Sequence, residues 1–257
     1  MSRPDERLER LWRQVTAGRR GPKPTLSLDD IVDDAIALAD ARGLDAVAMR
    51  PLARRCRVAP MALYRYVGTK DELVDLMLDR IYALMRRQRP RGTSWRARLT
   101  AVAHDNRALY ARHPWAAQLV TSRPPLGPGM MGKYEYELRA LEGAGLSDVD
   151  QDAALTLVLG FVEASARAAT VTHASRRGSG QTDRQWWRAN SGFLARVLDP
   201  AAYPTASRVG SAAGAAHGTA YDPDHAYAFG LDRVLDGLAV LIARSAKQRR
   251  RPVSRSR

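Results

Sequence analysis

Residues 49–70 read MRPLARRCRVAPMALYRYVGTK. They hold six Lys/Arg and no acid, whereas residues 28–45 hold six Asp and one Arg. Exposed charges are screened beyond a Debye length of about 10 Å at 0.1 M salt, so local charge decides what approaches each segment. The basic stretch suits a phosphate backbone, and its acidic neighbour is expected to face away. Leu52, Ala53, Cys56 and Val58, then Leu63 and Val67, are the apolar positions. They predict two short helices, 49–56 and 60–66, joined by a tight turn, the pattern of a helix-turn-helix. Ala53 is small where two helices must cross closely. Cys56 reads as a buried apolar side chain rather than a reactive thiol.

The second helix starts at Pro60, where a missing N–H costs nothing. Its outer face offers Pro60, Met61, Ala62, Tyr64, Arg65 and Tyr66. Met61 and Ala62 suit thymine methyls and Arg65 suits guanine or phosphate. Tyrosine hydroxyls and Lys70 suit phosphate oxygens. The bland alternative makes Tyr64 or Tyr66 a half-buried core residue; a seven-residue helix that must expose one side cannot bury both.

Outward from this stretch, every periodic signal is helical. Leu8, Leu11, Trp12 and Val15 make an apolar stripe over 5–16, followed by a basic connector at 19–24. Ser27 and Asp30 open a helix that Gly43 ends, with acids in the first turn where the dipole favours them. Thr69 to Glu72 reads as a capping box opening a helix with Leu73, Leu76, Met77, Ile81 and Leu84 on one face. Further helices are predicted at 94–112, 115–121, 128–143, 148–173, 183–198 and 223–246. Residues 200–222, rich in Ala, Gly and Ser, read as a flexible loop. No β alternation or internal repeat is present, so the fold class is all-α.

The chain has 257 residues and a net charge of +14. Residues 1–24 carry +4 and residues 247–257 carry +6, leaving the body nearly balanced. The C-terminal block reads as a disordered tail, either solubilising or DNA-attracting. One cysteine excludes an internal disulfide and a cysteine-built zinc site. No signal-peptide block and no run of about 18 apolar residues is found, so a cytoplasmic protein with no membrane partner is expected. The five histidines lack metalloprotease spacing, and no nucleophile elbow or phosphate-cradling loop occurs. No catalytic residue, metal or cofactor is therefore expected. A sequence-independent nucleic-acid coating protein is the other rival, and the defined reading helix argues against it.

Residues 153–166 contain one charged residue, Glu163, and a helix apolar nearly all round is buried on more than one side. Leu231, Leu235, Leu238 and Ile242 form a stripe on the last helix. With Leu155, Val158 and Val162 they suggest a four-helix dimer interface, or else the core of a monomeric bundle.

The segment Val58 to Val67, followed by Thr69-Lys70-Asp71-Glu72-Leu73, resembles the TetR family of transcriptional repressors, as do Ile31 to Gly43 and Leu52 to Arg55. In the C-terminal half, Trp95, Ser122-Arg123-Pro124, Leu138 to Leu141 with Gly145, and Phe229-Gly230-Leu231 are similar to the TetR-class ligand domain. The resemblance covers roughly 26–246. It implies a homodimeric repressor that binds a palindromic double-stranded operator and is released by a small, largely apolar effector. Its DNA-contacting positions match Met49, Arg50, Pro60, Met61, Ala62, Tyr64, Tyr66 and Lys70. Arg57 stands where the family often has Gly in the turn. Arg19, Arg20 and Lys23 could enter a minor groove or be a solvated leader. Pocket candidates are His104, Asn106 and Tyr110, expected near one another on one helix, Met131 and Tyr134 (beside Met130), Phe161, Glu163 and Trp186, with Trp187 beside it. Leu119 replaces the class's magnesium-binding histidine, which speaks against a magnesium–drug ligand. The expected division is a basic extension at 1–24, a helix-turn-helix domain at 25–72, a ligand-binding and dimerising domain at 73–246, and a tail at 247–257.

Overall fold

The computed structural model describes residues 4–16, 26–89, 91–119 and 124–250, with no strand among them. Arg19, Arg20, Lys23, Ser122, Arg123 and the tail from 251 onward lie outside the described residues. Eleven α-helices follow one another: α1 (Pro4–Thr16), α2 (Leu28–Arg42), α3 (Met49–Arg55), α4 (Pro60–Val67), α5 (Lys70–Ala83), α6 (Trp95–Arg112), α7 (Pro128–Leu138), α8 (Asp148–Ser179), α9 (Asp183–Val197), α10 (Pro204–His217) and α11 (Pro223–Arg250).

The head is α2, α3 and α4 folded over the start of α5. Ser27 caps α2 with a reciprocal box: its hydroxyl accepts from Asp30 N–H at 3.1 Å, and the Asp30 carboxylate accepts from Ser27 N–H at 3.0 Å. Ile31, Val32, Ala35, Leu52, Ala53, Leu63 and Val67 are buried together. Burying a Leu or Val side chain contributes about 1.5–3 kcal/mol, and this set holds three short helices that would not persist alone. Thr69 caps α5 by accepting from Glu72 N–H at 3.2 Å. The return half of that box is absent, because the Glu72 carboxylate pairs with Arg10 of α1 instead.

Helix α5 runs from the head into the body and presents buried Glu72, Asp75 and Asp79 at i, i+3 and i+7. Arg10 and Arg7 pair with the first two. Asp79 accepts the amides of Gly129 (3.1 Å) and Met130 (2.8 Å), capping an α7 start that has no side-chain cap of its own. A carboxylate at a helix N-terminus is favoured both by orphan N–H groups and by the dipole. On the far side Asp40 of α2 accepts from Trp115 Nε1 at 2.7 Å and meets His113 Nδ1 at 2.8 Å. The body packs α6 against α8, and α8 against α11.

Three expectations are corrected. Residues 204–217 form α10 rather than part of a loop: alanine is the best helix former, Pro204 sits at the first position, and Trp187 of α9 closes over Gly214, where a Cβ would meet the ring at 2.8 Å. The 115–121 helix is only a 3-10 turn at 116–118, and the 128–143 helix ends at Leu138 in another. Asp148–Arg176 contains an 18-residue window of mean hydropathy 1.4, long and apolar enough to cross a membrane by length and composition, as the core helix of a soluble protein also can be. It packs on α6 and α11 along one face.

Arg57, in the turn between α3 and α4, has φ 57°, the one positive φ outside glycine among the described residues. The left-handed region costs an L-residue roughly 1–2 kcal/mol, and glycine would return part of that as unfolded-state entropy. Arg57→Gly should therefore raise the urea midpoint by the equivalent of about 1 kcal/mol; an unchanged or lower midpoint would show that the turn is not strained.

Candidate functional site

Helix α4 buries only Leu63 and Val67. What it cannot bury it must show: Met61 is 74% exposed, Tyr64 45% and Tyr66 37%. Pro60 and Arg65 are exposed beside them, Ala62 is half-buried, and Lys70 stands exposed at the start of α5. Arg50, Arg54, Arg65 and Lys70 have no carboxylate within ion-pair distance among the described residues. The neighbouring acids are committed elsewhere. Asp34 takes Arg55 at 2.6 Å, and Asp33 takes Arg80 at 3.0 Å. The result is one face carrying exposed cations, two aromatic hydroxyls and a thioether, with Asp33 and Asp34 of α2 paired to Arg80 and Arg55. Met49 departs from its expected place on this face. As the first residue of α3 it is buried in the head's core, because the face of α3 that carries Leu52 and Ala53 also carries the position three residues before Leu52.

Cys56 is half-buried, with Sγ 3.7 Å from an Asp34 oxygen. Burial, and then the Asp34 charge, push its thiol up to about 11. That matches its reading as a packing residue.

In the body the polar centre lies between α6 and α7. Asn106 is fully buried and its amide donates to Glu137 Oε1 at 2.6 Å and to the Val102 carbonyl at 2.9 Å. Lys133 Nζ lies 2.7 Å from Glu137, also fully buried, and 5.2 Å from the Tyr82 ring centroid. Asn106 Oδ1 has no partner, and an orphaned buried acceptor carries a desolvation penalty of about 1–3 kcal/mol. Burial pushes the Tyr82 and Tyr110 hydroxyls well above the usual phenol range, with carboxylates adding to it. Lys133, Glu137 and Tyr82 were not singled out from the sequence. The signal was the Lys–Glu pair at i, i+4 in a helix whose other residues are mostly uncharged.

The expected pocket residues do not converge. His104 and Asn106 are two residues apart, about 200° around a helix, so His104 turns to Tyr227 of α11 (6.0 Å between rings) while Asn106 and Tyr110 face inward. Phe161 also stacks on Tyr227, at 5.9 Å. Met131 is exposed and the Tyr134 hydroxyl donates to Asp152 at 2.6 Å on the surface; α7 turns Lys133 and Glu137 inward instead. Glu163 pairs with Arg167. Trp186 borders an open groove of about 410 Å³ with Val171, Thr172 and Tyr221. A second groove, of about 290 Å³, runs between α6 and α8 past Tyr110, Ala166 and His173.

The expected interface residues are also corrected. Leu155, Val158, Val162, Leu231, Leu235 and Leu238 are buried inside the single chain, and Ile242 packs against the same core. They belong to the α8–α11 contact within one protomer. The exposed apolar faces are different ones: Leu157, Gly160, Ala164 and Val171 on α8, and Phe229, Val240 and Leu241 on α11.

The model of bacterial regulatory proteins of the tetR family matches residues 31–77, and that of the tetracyclin repressor-like C-terminal domain matches 88–242. The HTH-type transcriptional repressor DrrR1 of Streptomyces coeruleorubidus is 41% identical over 238 residues, 92% of this chain and 86% of that one. The solved structure of the TetR family protein ActR from Streptomyces coelicolor in complex with actinorhodin superposes with TM-score 0.70 at 28% identity, covering 86% of this chain and 99% of that one. BioQ with its natural double-stranded DNA operator superposes with TM-score 0.51 at 28% identity, over 59% and 90% of the two chains.

The Cys56 environment sets a test of the head's packing. A thiol raised from 9.0 to about 11 holds about a hundredfold less thiolate at pH 8 than an ordinary one. Iodoacetamide labelling of the native chain should be slower than that of the urea-unfolded chain by about this factor; equal rates would mean that Cys56 is not held against Asp34.

Proposed function

The chain belongs to the TetR family of bacterial regulatory proteins, and on that premise we propose that it is a ligand-responsive transcriptional repressor. It acts in the cytoplasm as a homodimer on a palindromic operator, and a small molecule bound in the C-terminal body releases it. The observation that carries this reading is the outer face of α4, with exposed Met61, Tyr64, Arg65 and Tyr66 beside Lys70. Such a helix is sized for the major groove, where apolar side chains read thymine methyls and arginine reads guanine. Arg50, Pro60 and Ala62 complete the contact set, and Met49, buried in the head's core, is left out of it. Arg19 and Arg20 add minor-groove contacts from the connector that follows α1. The relatives named as repressors and the operator complex of BioQ support the reading.

The head is residues 25–72 and the body 73–246, with α5 shared between them. The effector enters the body next to the Asn106–Glu137–Lys133 group, whose unfilled acceptor and aromatic neighbours Tyr82 and Tyr110 suit a mid-sized molecule with a donor and an aromatic face. ActR, a family member of similar shape, is solved with actinorhodin. Binding there acts by favouring one of two head spacings, which requires only differential affinity between them.

Two copies associate through the exposed faces of α8 and α11. A contiguous apolar patch on a soluble protein marks an interface, and α8 shows Leu157 and Val171 while α11 shows Phe229 and Val240. Symmetry then sets the two reading helices about 34–36 Å apart, one turn of duplex.

Selection of random duplexes by the purified chain is the direct test, and it should return a two-fold symmetric sequence preferred over bulk DNA by about 10³ or more; enrichment without sequence preference would favour a coating role. Tyr64→Ala and Lys70→Ala should each weaken binding by about 1–3 kcal/mol without altering the melting curve, and Lys70→Ala should also flatten the salt slope by about one. Val240→Asp should give a folded monomer by light scattering, whereas Leu238→Asp should destabilise the chain itself by several kcal/mol. A dimeric Val240→Asp chain would move the interface elsewhere.

A further inference from the structure

Helix α1 precedes both matched family segments, which begin at residues 31 and 88, yet it is firmly docked. Leu11 is buried. Arg7 pairs with Asp75 and Arg10 with Glu72. Trp12 Nε1 donates to the Leu126 carbonyl at 2.9 Å, on the segment that leads into α7. Three residues forward on α1 correspond to three residues back on α5, so the two helices are antiparallel. Arg10 therefore lies at the DNA-facing end of α5, directly over Gly68. A Cβ at Gly68 would stand 1.8 Å from the Arg10 guanidinium and 1.9 Å from the Glu72 carboxylate. Gly68, at φ +71°, ends α4 and precedes Thr69, the cap of α5. One arginine thus touches the joint between α4 and α5, while the tryptophan two residues on holds the entry to α7.

We propose that Arg7 and Arg10 are positioning residues for DNA binding: α1 is a strap that fixes the α4–α5 joint against the body. The inference rests on α4 as the reading helix. Neither arginine needs to meet a phosphate, because each guanidinium is engaged by a carboxylate of α5 that is itself largely buried. Loss of the strap frees α4 and Lys70 to sample other tilts in the unbound chain, so a smaller fraction of it is poised to bind, although the bound chain makes the same contacts. Affinity falls through lost preorganisation, whereas the number of phosphates that the bound chain neutralises stays the same.

That difference is measurable in the full-length protein, with the duplex recovered by selection on the wild-type chain, titrated over a range of salt concentrations. The Arg7→Ala/Arg10→Ala chain should bind at least tenfold more weakly, with an unchanged slope of log K against log salt. A direct phosphate contact would instead flatten the slope by about one per arginine. Arg10→Glu alone should behave like the double variant, and adding Glu72→Arg should restore most of the affinity by reversing the pair. Circular dichroism and light scattering report folding and dimer state in each case. If the double variant does not fold, the reversed pair decides: restored binding sustains the strap and unrestored binding overturns it. Wild-type affinity in a folded double variant, or a flattened slope, overturns it as well. A wild-type chain that selects no duplex would instead sink the assignment of α4, and the strap's role with it.

Discussion

A charged group can leave water only if something answers it, and this requirement organises the molecule around α5. Its carboxylates at Glu72, Asp75 and Asp79 are all buried, and each is met: the first two by arginines of α1, the third by two backbone amides at the start of α7. An ionised carboxylate left unpaired in the interior would cost several kcal/mol. The partners must therefore come to α5, and doing so places α1 and α7 against the one helix that starts in the head and ends in the body. Burial still raises the Asp75 and Asp79 carboxyls above their usual range, which shows that pairing offsets desolvation only in part.

The same economy explains the head. A helix of eight residues can bury two side chains and must expose the rest, so α4 gives Leu63 and Val67 to the core and leaves Met61, Tyr64, Arg65 and Tyr66 outside. The acids of α2 are committed to Arg55, Arg80, His113 and Trp115. Arg50, Arg54, Arg65 and Lys70 are left exposed. The strained Arg57 turn sets the angle at which α4 leaves α3, and such turns persist only where the surrounding packing over-determines them.

Two-sidedness governs the body. Helices α8 and α11 each carry one apolar stripe against their own protomer and another that is exposed. Periodicity alone assigns both stripes to the helix without saying which meets which neighbour. Leu238 and Val240 differ by two positions, yet one lies in the core and the other faces outward. The buried polar group of Asn106, Lys133 and Glu137 has the same origin: the fold brings Asn106 of α6 to Glu137 of α7, 31 positions away.

What the sequence by itself determined was local. Hydrophobic spacing, caps and turn residues set the all-α class, the α2–α4 motif, the Arg57 turn and the outer face of α4, because these depend on contacts within one or two turns of helix. It failed where composition stood in for energetics: the Ala-rich 204–217 segment read as a loop, although alanine favours a helix and Trp187 anchors it. Only the tertiary structure decided that Met49 points inward, that His104 and Asn106 part company, that Glu72 leaves its capping box for Arg10, and that Leu155 to Ile242 serve one chain rather than two. Each of these is a choice between partners distant in sequence, settled by which pairing buries apolar surface while leaving no charge alone, and a one-dimensional pattern does not carry that comparison.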